Sequence, residues 1–226
     1  MDNNTNMKKV LVSTASFGSP LVSNWVNQES SRYEIDFNRV DETNDSARPA
    51  AMHPRLCAKM PKMLAWEHNP GYDYYVWVDA YYSIPDPTAI ERMVDYCLDA
   101  DACFFKHPAH TSARAEAEGL IRTQHRCKGE KIREQIDCYS QDKDWEDNFC
   151  IEAGIFIYSK NLVNNRDYNI MKEWFYNVCI WNIRDQVSLP YLLYKFNTNF
   201  KLFADPDTMY NNSYTVREGR AMITYN

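Results

Sequence analysis

An α/β fold with a mostly parallel sheet flanked by helices is what this sequence predicts, and three observations predict it. Short runs rich in Val, Ile and aromatics, such as KVLVSTA (9–15), YYVWV (74–78) and IEAGIFIYSK (151–160), read as buried strands, because β-branched and aromatic side chains pack well on a pleated surface. Longer segments with helical spacing of their apolar residues lie between them. The two kinds alternate along most of the chain, which is the order that gives a sheet with helical crossovers. With 226 residues, no internal repeat and no linker, the chain reads as a single domain over 1–226, with 1–8 a polar, flexible N-terminus.

Composition narrows the function. The net charge of −6 argues against a general nucleic-acid binder, which normally shows a basic face, and leaves room for a local basic patch. No run is long and apolar enough for membrane insertion, and the apolar VLV after Lys8 and Lys9 is too short for a signal peptide. The seven cysteines are scattered without a C-x-x-C pair, which suits a reduced, cytoplasmic chain and gives no zinc spacing. G-x-G-x-x-G, P-loop, G-x-S-x-G and H-E-x-x-H motifs are all absent, so dinucleotide, NTPase, acyl-transfer and zincin chemistry have no support.

In order, the first strand is KVLVSTA, followed by a loop at 16–20. RYEIDFNRV (32–40) alternates as a second strand, and 41–49 is a charged loop. A helix opens at Pro54, with Pro61 expected to kink it. Arg55, Lys59 and Lys62 recur at i, i+4 and i+7 on one face. That face is either solvated or a cationic wall for a diphosphate. YYVWV ends on Asp79, at the place where α/β proteins put ligand chemistry, although an Asp there also caps turns. A helix over 88–100 is capped by Thr88. ACFFKHP (102–108) is a strand, and 112–126 and 130–141 are polar helices. Gly154 within the strand 151–160 signals a bulge or a close ligand approach. A helix over 169–181 and another starting at Arg184-Asp185-Gln186 precede a last strand at 199–204 and a polar, Tyr-bearing tail.

Two clusters carry chemistry. His107, His110 and Glu116 have metal-ligand chemistry, but a Pro inside the i, i+3 spacing fixes no face, and lining a cleft, or plain surface exposure, is the better reading. Asp185 in Arg184-Asp185-Gln186 reads as a helix cap. The trio also joins a cation, a carboxylate and an amide, the donors and acceptors that sugar hydroxyls need.

Taken together, RLCAKMPK (55–62), YVWVDA (75–80), the His107–Glu118 segment, EQIDCY (134–139), EAGIFIY (152–158) and RDQVSLPYLL (184–193) resemble the GT-A glycosyltransferases. The resemblance is to the plant glycosyltransferase-like domain family long described only as a domain of unknown function. The chain is also similar to the small glycosyltransferase domains of large algal DNA viruses, which for a viral protein implies the host cytoplasm. It spans roughly residues 8–205. It implies a GT-A-like, Rossmann-related sheet and transfer of a sugar from a nucleotide-diphosphate donor, a UDP-sugar foremost, to a glycan or glycoprotein acceptor.

The resemblance also implies a set of site residues. Thr14, Ala15 and Phe17 would touch the nucleoside, and Arg55 and Lys59 the uridine or phosphates. Asp79, with Ala80 and Tyr81 beside it, would take ribose or a metal. His107, Arg114, Glu116 and Gly154 would shape the sugar pocket. Arg184, Asp185 and Gln186 would hold sugar hydroxyls, with Asp185 the base of an inverting reaction. Tyr81 stands where most such enzymes carry the second Asp of Asp-x-Asp. A Mn²⁺ or Mg²⁺ ion would therefore have one protein carboxylate and draw its other oxygens from phosphate and water. Alternatively, Arg55 and Lys59 neutralise the diphosphate without metal. The rival functions are a non-catalytic carbohydrate- or nucleotide-sugar-binding protein on the same fold, motivated by Tyr81, and a glycoside hydrolase with opposed carboxylates.

Overall fold

The computed structural model describes residues 7–18, 23–44, 52–123, 127, 129–204 and 210–218. Parts of the loops expected at 16–20 and 41–49, the end of the helix expected at 112–126 and most of the N-terminal stretch lie outside the described residues.

Six strands form the main sheet: β1 (Lys8–Ala15), β2 (Tyr33–Val40), β3 (Tyr74–Val78), β5 (Ala102–Lys106), β6 (Ile151–Ser159) and β7 (Phe200–Leu202), in the spatial order β2-β1-β3-β6-β5-β7. β1 pairs in parallel with β2 and β3, and β5 in parallel with β7. β6 runs antiparallel to both β3 and β5. The sheet is thus mostly parallel with one reversed strand, and the reversal brings the first residues of β6 to the rim where the parallel strands end. A full burial pattern over YYVWV and IEAGIFIYS matches strands covered on both faces.

One face packs Leu11, Trp77, Phe156 and Trp174 in a core closed by helices. These helices are α1 (Pro54–Cys57), α2 (Lys59–Met63), α3 (Ala65–His68), α7 (Ile170–Ile180) and α8 (Asp185–Lys195). The other face packs Val12, Val76, Ile155 and Ile90 under α4 (Ala89–Tyr96). A third cluster joins α5 (Ala113–Thr123) and α6 (Ile132–Tyr139) to Val187 of α8.

Several expectations are corrected. The helix at Pro54 is broken into three short pieces, with the first break at Ala58. Pro61 has no N–H to offer the carbonyl four residues back, so a continuous helix through it lacks a bond. Thr88 occupies the cap position of α4 without a side-chain capping bond. Its hydroxyl donates to Asp86 instead, and the distant Gln28 accepts the Ile90 N–H at 3.0 Å. Asp185 is no cap either: Arg184 precedes the first turn and no side chain caps it.

The bulge predicted at Gly154 is present. Phe104 pairs with Phe156 but Phe105 with Glu152, so β6 spends three residues where β5 spends none. The tail returns as β8 (Val216–Arg217), an antiparallel partner of β4 (Tyr82–Ser83) directly after Asp79. No described helix is long and apolar enough to cross a membrane.

Candidate active site

The chain takes β2 to one side of β1 and β3 to the other, so a crevice opens outside the carboxyl ends of β1 and β3, the switch point where α/β sheets hold ligands. Thr14, Ala15 and Phe17 line the β1 side of this rim in sequence, and Asp79, Ala80 and Tyr81 the β3 side. Phe17 is a core residue. The hydroxyls of Ser13 and Thr14 are buried without a hydrogen-bond partner among the described residues.

Asp79 is fixed at its backbone and left partly open at its side chain. Its N–H donates to the Gly154 carbonyl at 2.8 Å, tying β3 to the bulge of β6. Trp77 Nε1 donates to Oδ1 at 2.7 Å and Tyr81 Oη to Oδ2 at 3.2 Å, while 26% of the side chain stays exposed. A carboxylate accepts about four hydrogen bonds, so lone pairs remain for a ligand. Lys62 Nζ stands 3.8 Å from Oδ1. One carboxylate beside an ammonium fits a metal that shares its coordination with an incoming diphosphate, and does not by itself make a complete site.

Behind Asp79 lies a buried triad. Asp185 Oδ2 receives Lys59 Nζ at 2.7 Å and Lys62 Nζ at 2.5 Å. The Asp185 side chain is 5% exposed and that of Lys62 4%. Burial alone raises a carboxyl pKa, yet here the two ammonium groups reverse it and hold Asp185 well below the usual carboxylate range. Burial also lowers Lys62, but Asp185 and Asp79 outweigh it and the net shift is upward. Lys59, with less compensation, is pulled by burial down to about 8. The carbonyl of Asp185 accepts from Trp174 Nε1 at 2.9 Å, so the residue is locked at both ends. A carboxylate this acidic makes a poor proton acceptor. The geometry also departs from the expected base: the carboxylate of Asp185 is enclosed by two ammonium groups, which it holds in place.

A second cluster surrounds Glu116. Its carboxylate takes Arg184 Nε at 3.0 Å and a short contact from His110 Nδ1, with His107 Nε2 at 3.7 Å. The ligand atoms of His107, His110 and Glu116 lie within 4.8 Å of one another, the spacing of a metal centre. The tautomer of His107 argues against that use. Its Nδ1 accepts the backbone N–H groups of Ala109 at 3.1 Å and His110 at 2.9 Å. The neutral ring therefore carries its proton on Nε2, where a metal would have to bind. Burial, partly offset by Glu116, lowers the His107 pKa to about 4, so the ring is neutral at physiological pH. Nitrogen NMR is expected to show an Nε2–H tautomer from pH 5.5 to 8 that protonates only near 4, with signals unmoved by Zn²⁺; titration close to the ordinary histidine value would overturn this assignment.

Other expected site residues fall elsewhere. Arg55 lines a separate cavity of about 480 Å³ with His53, Leu56, Lys131 and Trp181, so the stripe of Arg55, Lys59 and Lys62 does not form one cationic wall. Lys59 and Lys62 turn inward to Asp185 instead. Arg114 lies on α5, where its guanidinium donates to Ser140 at 2.6 Å and approaches Asp137 at 4.0 Å, outside the Glu116 cluster. Gln186 is 2% exposed, and its Nε2 has no partner among the described residues.

Two further residues stand beside these clusters. Sequence spacing places Lys62 only in the basic stripe and Glu152 only in a strand, although a carboxylate in an otherwise apolar run needs a reason to be there. It is 5% exposed, and its Oε2 lies 3.1 Å from His107 Nε2 but too far out of line for a hydrogen bond.

The reversed strand, the switch-point crevice and the acidic rim together define a GT-A-like glycosyltransferase fold. Residues 48–216 match the TOD1/MUCI70 glycosyltransferase-like domain, and the chain belongs to that family. The match begins later and ends later than the 8–205 expected, leaving β1 and β2 outside and reaching into β8. No curated protein matches the chain in sequence. Similar solved structures include a glycosyltransferase involved in the glycosylation of the major capsid of PBCV-1, at 11% identity over 86% of this chain and 81% of that one, TM-score 0.49. Mouse xyloside xylosyltransferase 1 in its apo form is similar at 6% identity over 86% of this chain and 85% of that one, TM-score 0.50. The likeness to the xylosyltransferase, at this identity, speaks to the fold alone. Family and fold together assign the chain the general activity of a glycosyltransferase.

Proposed function

We propose that the chain is a hexosyltransferase-type enzyme that moves a sugar from a nucleotide-diphosphate donor, a UDP-sugar foremost, to a glycan or glycoprotein acceptor. The observation that carries this reading is the partly open carboxylate of Asp79 at the β1/β3 switch point, backed by the buried ammonium of Lys62. The nucleoside lies over the end of β1. The diphosphate lies at Asp79, and the sugar lies over the neighbouring ends of β6 and β5. A bound Mn²⁺ or Mg²⁺ would neutralise charge developing on the leaving diphosphate. Lys62 adds fixed positive charge beside it, and the Asp185 counter-ion keeps that ammonium in place before any substrate arrives.

Calorimetric titration of UDP in the presence of Mn²⁺, followed by a turnover screen of nucleotide sugars, tests this. Binding together with slow release of free sugar, or transfer to an added glycan, is the expected result. Binding with no turnover of any donor favours the non-catalytic sugar-nucleotide-binding reading, which Tyr81 at the second-Asp position motivates. Because Arg55 lines its own cavity, Arg55→Ala is expected to leave UDP affinity within about twofold, a change below 0.5 kcal/mol; a tenfold loss would bring Arg55 back into the donor site.

A further inference from the structure

The cations behind the rim are spent on buried carboxylates. Lys59 and Lys62 close on Asp185, and Arg184 closes on Glu116. Arg217 of β8 differs. Its side chain is exposed, and it makes no ion pair or side-chain hydrogen bond with any described residue. Its guanidinium lies against two aromatic rings instead, 5.7 Å from the centre of Tyr81 and 4.8 Å from that of Tyr210. Stacking on ring faces holds a guanidinium in place while its N–H edges stay free to donate.

The tail that carries Arg217 is fastened beside Asp79. Arg217 pairs with Tyr82 across the β4–β8 ladder, and the Glu218 N–H donates to the Tyr81 carbonyl at 2.9 Å. The Tyr81 hydroxyl in turn donates to Asp79 Oδ2 at 3.2 Å. A single tyrosine ring thus separates the guanidinium from the Asp79 carboxylate. The neighbouring Tyr82 hydroxyl lies in the field of both charges. Burial raises its pKa, Tyr210 and Asp79 add to the rise, and Arg217 opposes it.

Electrostatics calls for a cation at this place. Asp79 repels an incoming diphosphate, and Tyr81 in place of a second Asp leaves a metal with one protein carboxylate. Lys62 faces Asp79 from the buried side, whereas Arg217 stands on the exposed side.

We infer that Arg217 grips the diphosphate of the donor and supplies a share of nucleotide affinity that needs no metal. This rests on the nucleotide-sugar reading above. A guanidinium offers two parallel N–H bonds to phosphate oxygens, charge-assisted and stronger than neutral hydrogen bonds. Tyr81 then has a use of its own. Where a second Asp would hold metal, its ring seats a positive charge carried in by the tail.

Calorimetric titrations of UDP and of uridine, each with chelator and with Mn²⁺, compare the parent with Arg217→Ala and Arg217→Lys. In chelator, Arg217→Ala is expected to lose UDP affinity about tenfold or more, or about 1.4 kcal/mol, while binding uridine within about twofold of the parent. The gain in UDP affinity from Mn²⁺ should persist in this variant, since Asp79 is untouched. Arg217→Lys keeps the charge without the planar fork, and its UDP affinity is expected to fall between those of the parent and the alanine variant. Equal UDP affinity of parent and Arg217→Ala in chelator overturns the assignment. An equal loss for UDP and uridine overturns it too, because Arg217 would then fasten the tail and touch no phosphate. A parent that binds neither UDP nor uridine under either condition overturns the proposed activity as well.

Discussion

Replacing Asp185 by alanine lowers the unfolding free energy by about 3–5 kcal/mol at pH 7, the range for breaking a buried ion pair from one side. The variant leaves Lys59 and Lys62 close together in a buried site where the more distant Asp79, 3.8 Å from Lys62, is the carboxylate that remains. For a chain of this size that is a fall of roughly 6–20 °C in the thermal midpoint. The pH dependence has a definite sign. The folded carboxyl of Asp185 titrates below its unfolded value, so its contribution is complete above the unfolded pKa, near 4, and is lost as the pH falls below it. Parent and variant should therefore differ most at neutral pH and converge in strong acid. Urea unfolding at pH 7 and pH 3 measures this. A variant as stable as the parent at pH 7 would mean that Asp185 contributes no net stability to the triad. Activity in the folded fraction should fall as well, because Lys62 loses its fixed position beside Asp79. On this account Asp185 acts through the lysines and touches no reacting atom.

The second large effect is expected from Asp79→Ala. With Tyr81 in the place of a second Asp, the protein offers a shared cation one carboxylate, while hard divalent ions seek about six oxygens. The missing ligands come from diphosphate and water, so metal and nucleotide bind with positive coupling, and linkage makes each tighten the other by the same factor. In the parent, Mn²⁺ is expected to raise UDP affinity about tenfold or more, and chelator to abolish the gain. In Asp79→Ala the two conditions should give the same affinity, with the metal-free value much less affected. Turnover should drop by about 100- to 1,000-fold, the usual cost of losing one preorganised electrostatic element. Four titrations, parent and variant with Mn²⁺ and with chelator, close the cycle. Equal UDP affinity in the parent under both conditions would remove the metal and leave Asp79 as a ribose-binding or turn-forming residue.

Periodicity and local chemistry made much of this protein legible. The strand YYVWV ending on Asp79, the buried run around Gly154 with its bulge, and the alternation of strands and helices follow from patterns a few residues long, and those patterns fix which face of an element is apolar. The Asp79 position at a strand end was visible for the same reason. Partnerships across the chain were not. Lys59 and Asp185 are 126 residues apart, and no local pattern says that α2 and the start of α8 meet behind the rim. A basic stripe at i, i+4 and i+7 looks the same whether it faces water or a buried carboxylate, and Pro61 broke the helix that would have kept Arg55 in line with the lysines.

The sequence by itself determined the elements, their order and the acidic strand end. Only the tertiary structure decided which charges cancel, setting Asp185 between Lys59 and Lys62 and Glu116 against Arg184. The reason is physical: a hydrophobic pattern acts over one or two turns of chain, whereas charge compensation in a buried site depends on distances of a few ångströms between groups that only the closed sheet brings together.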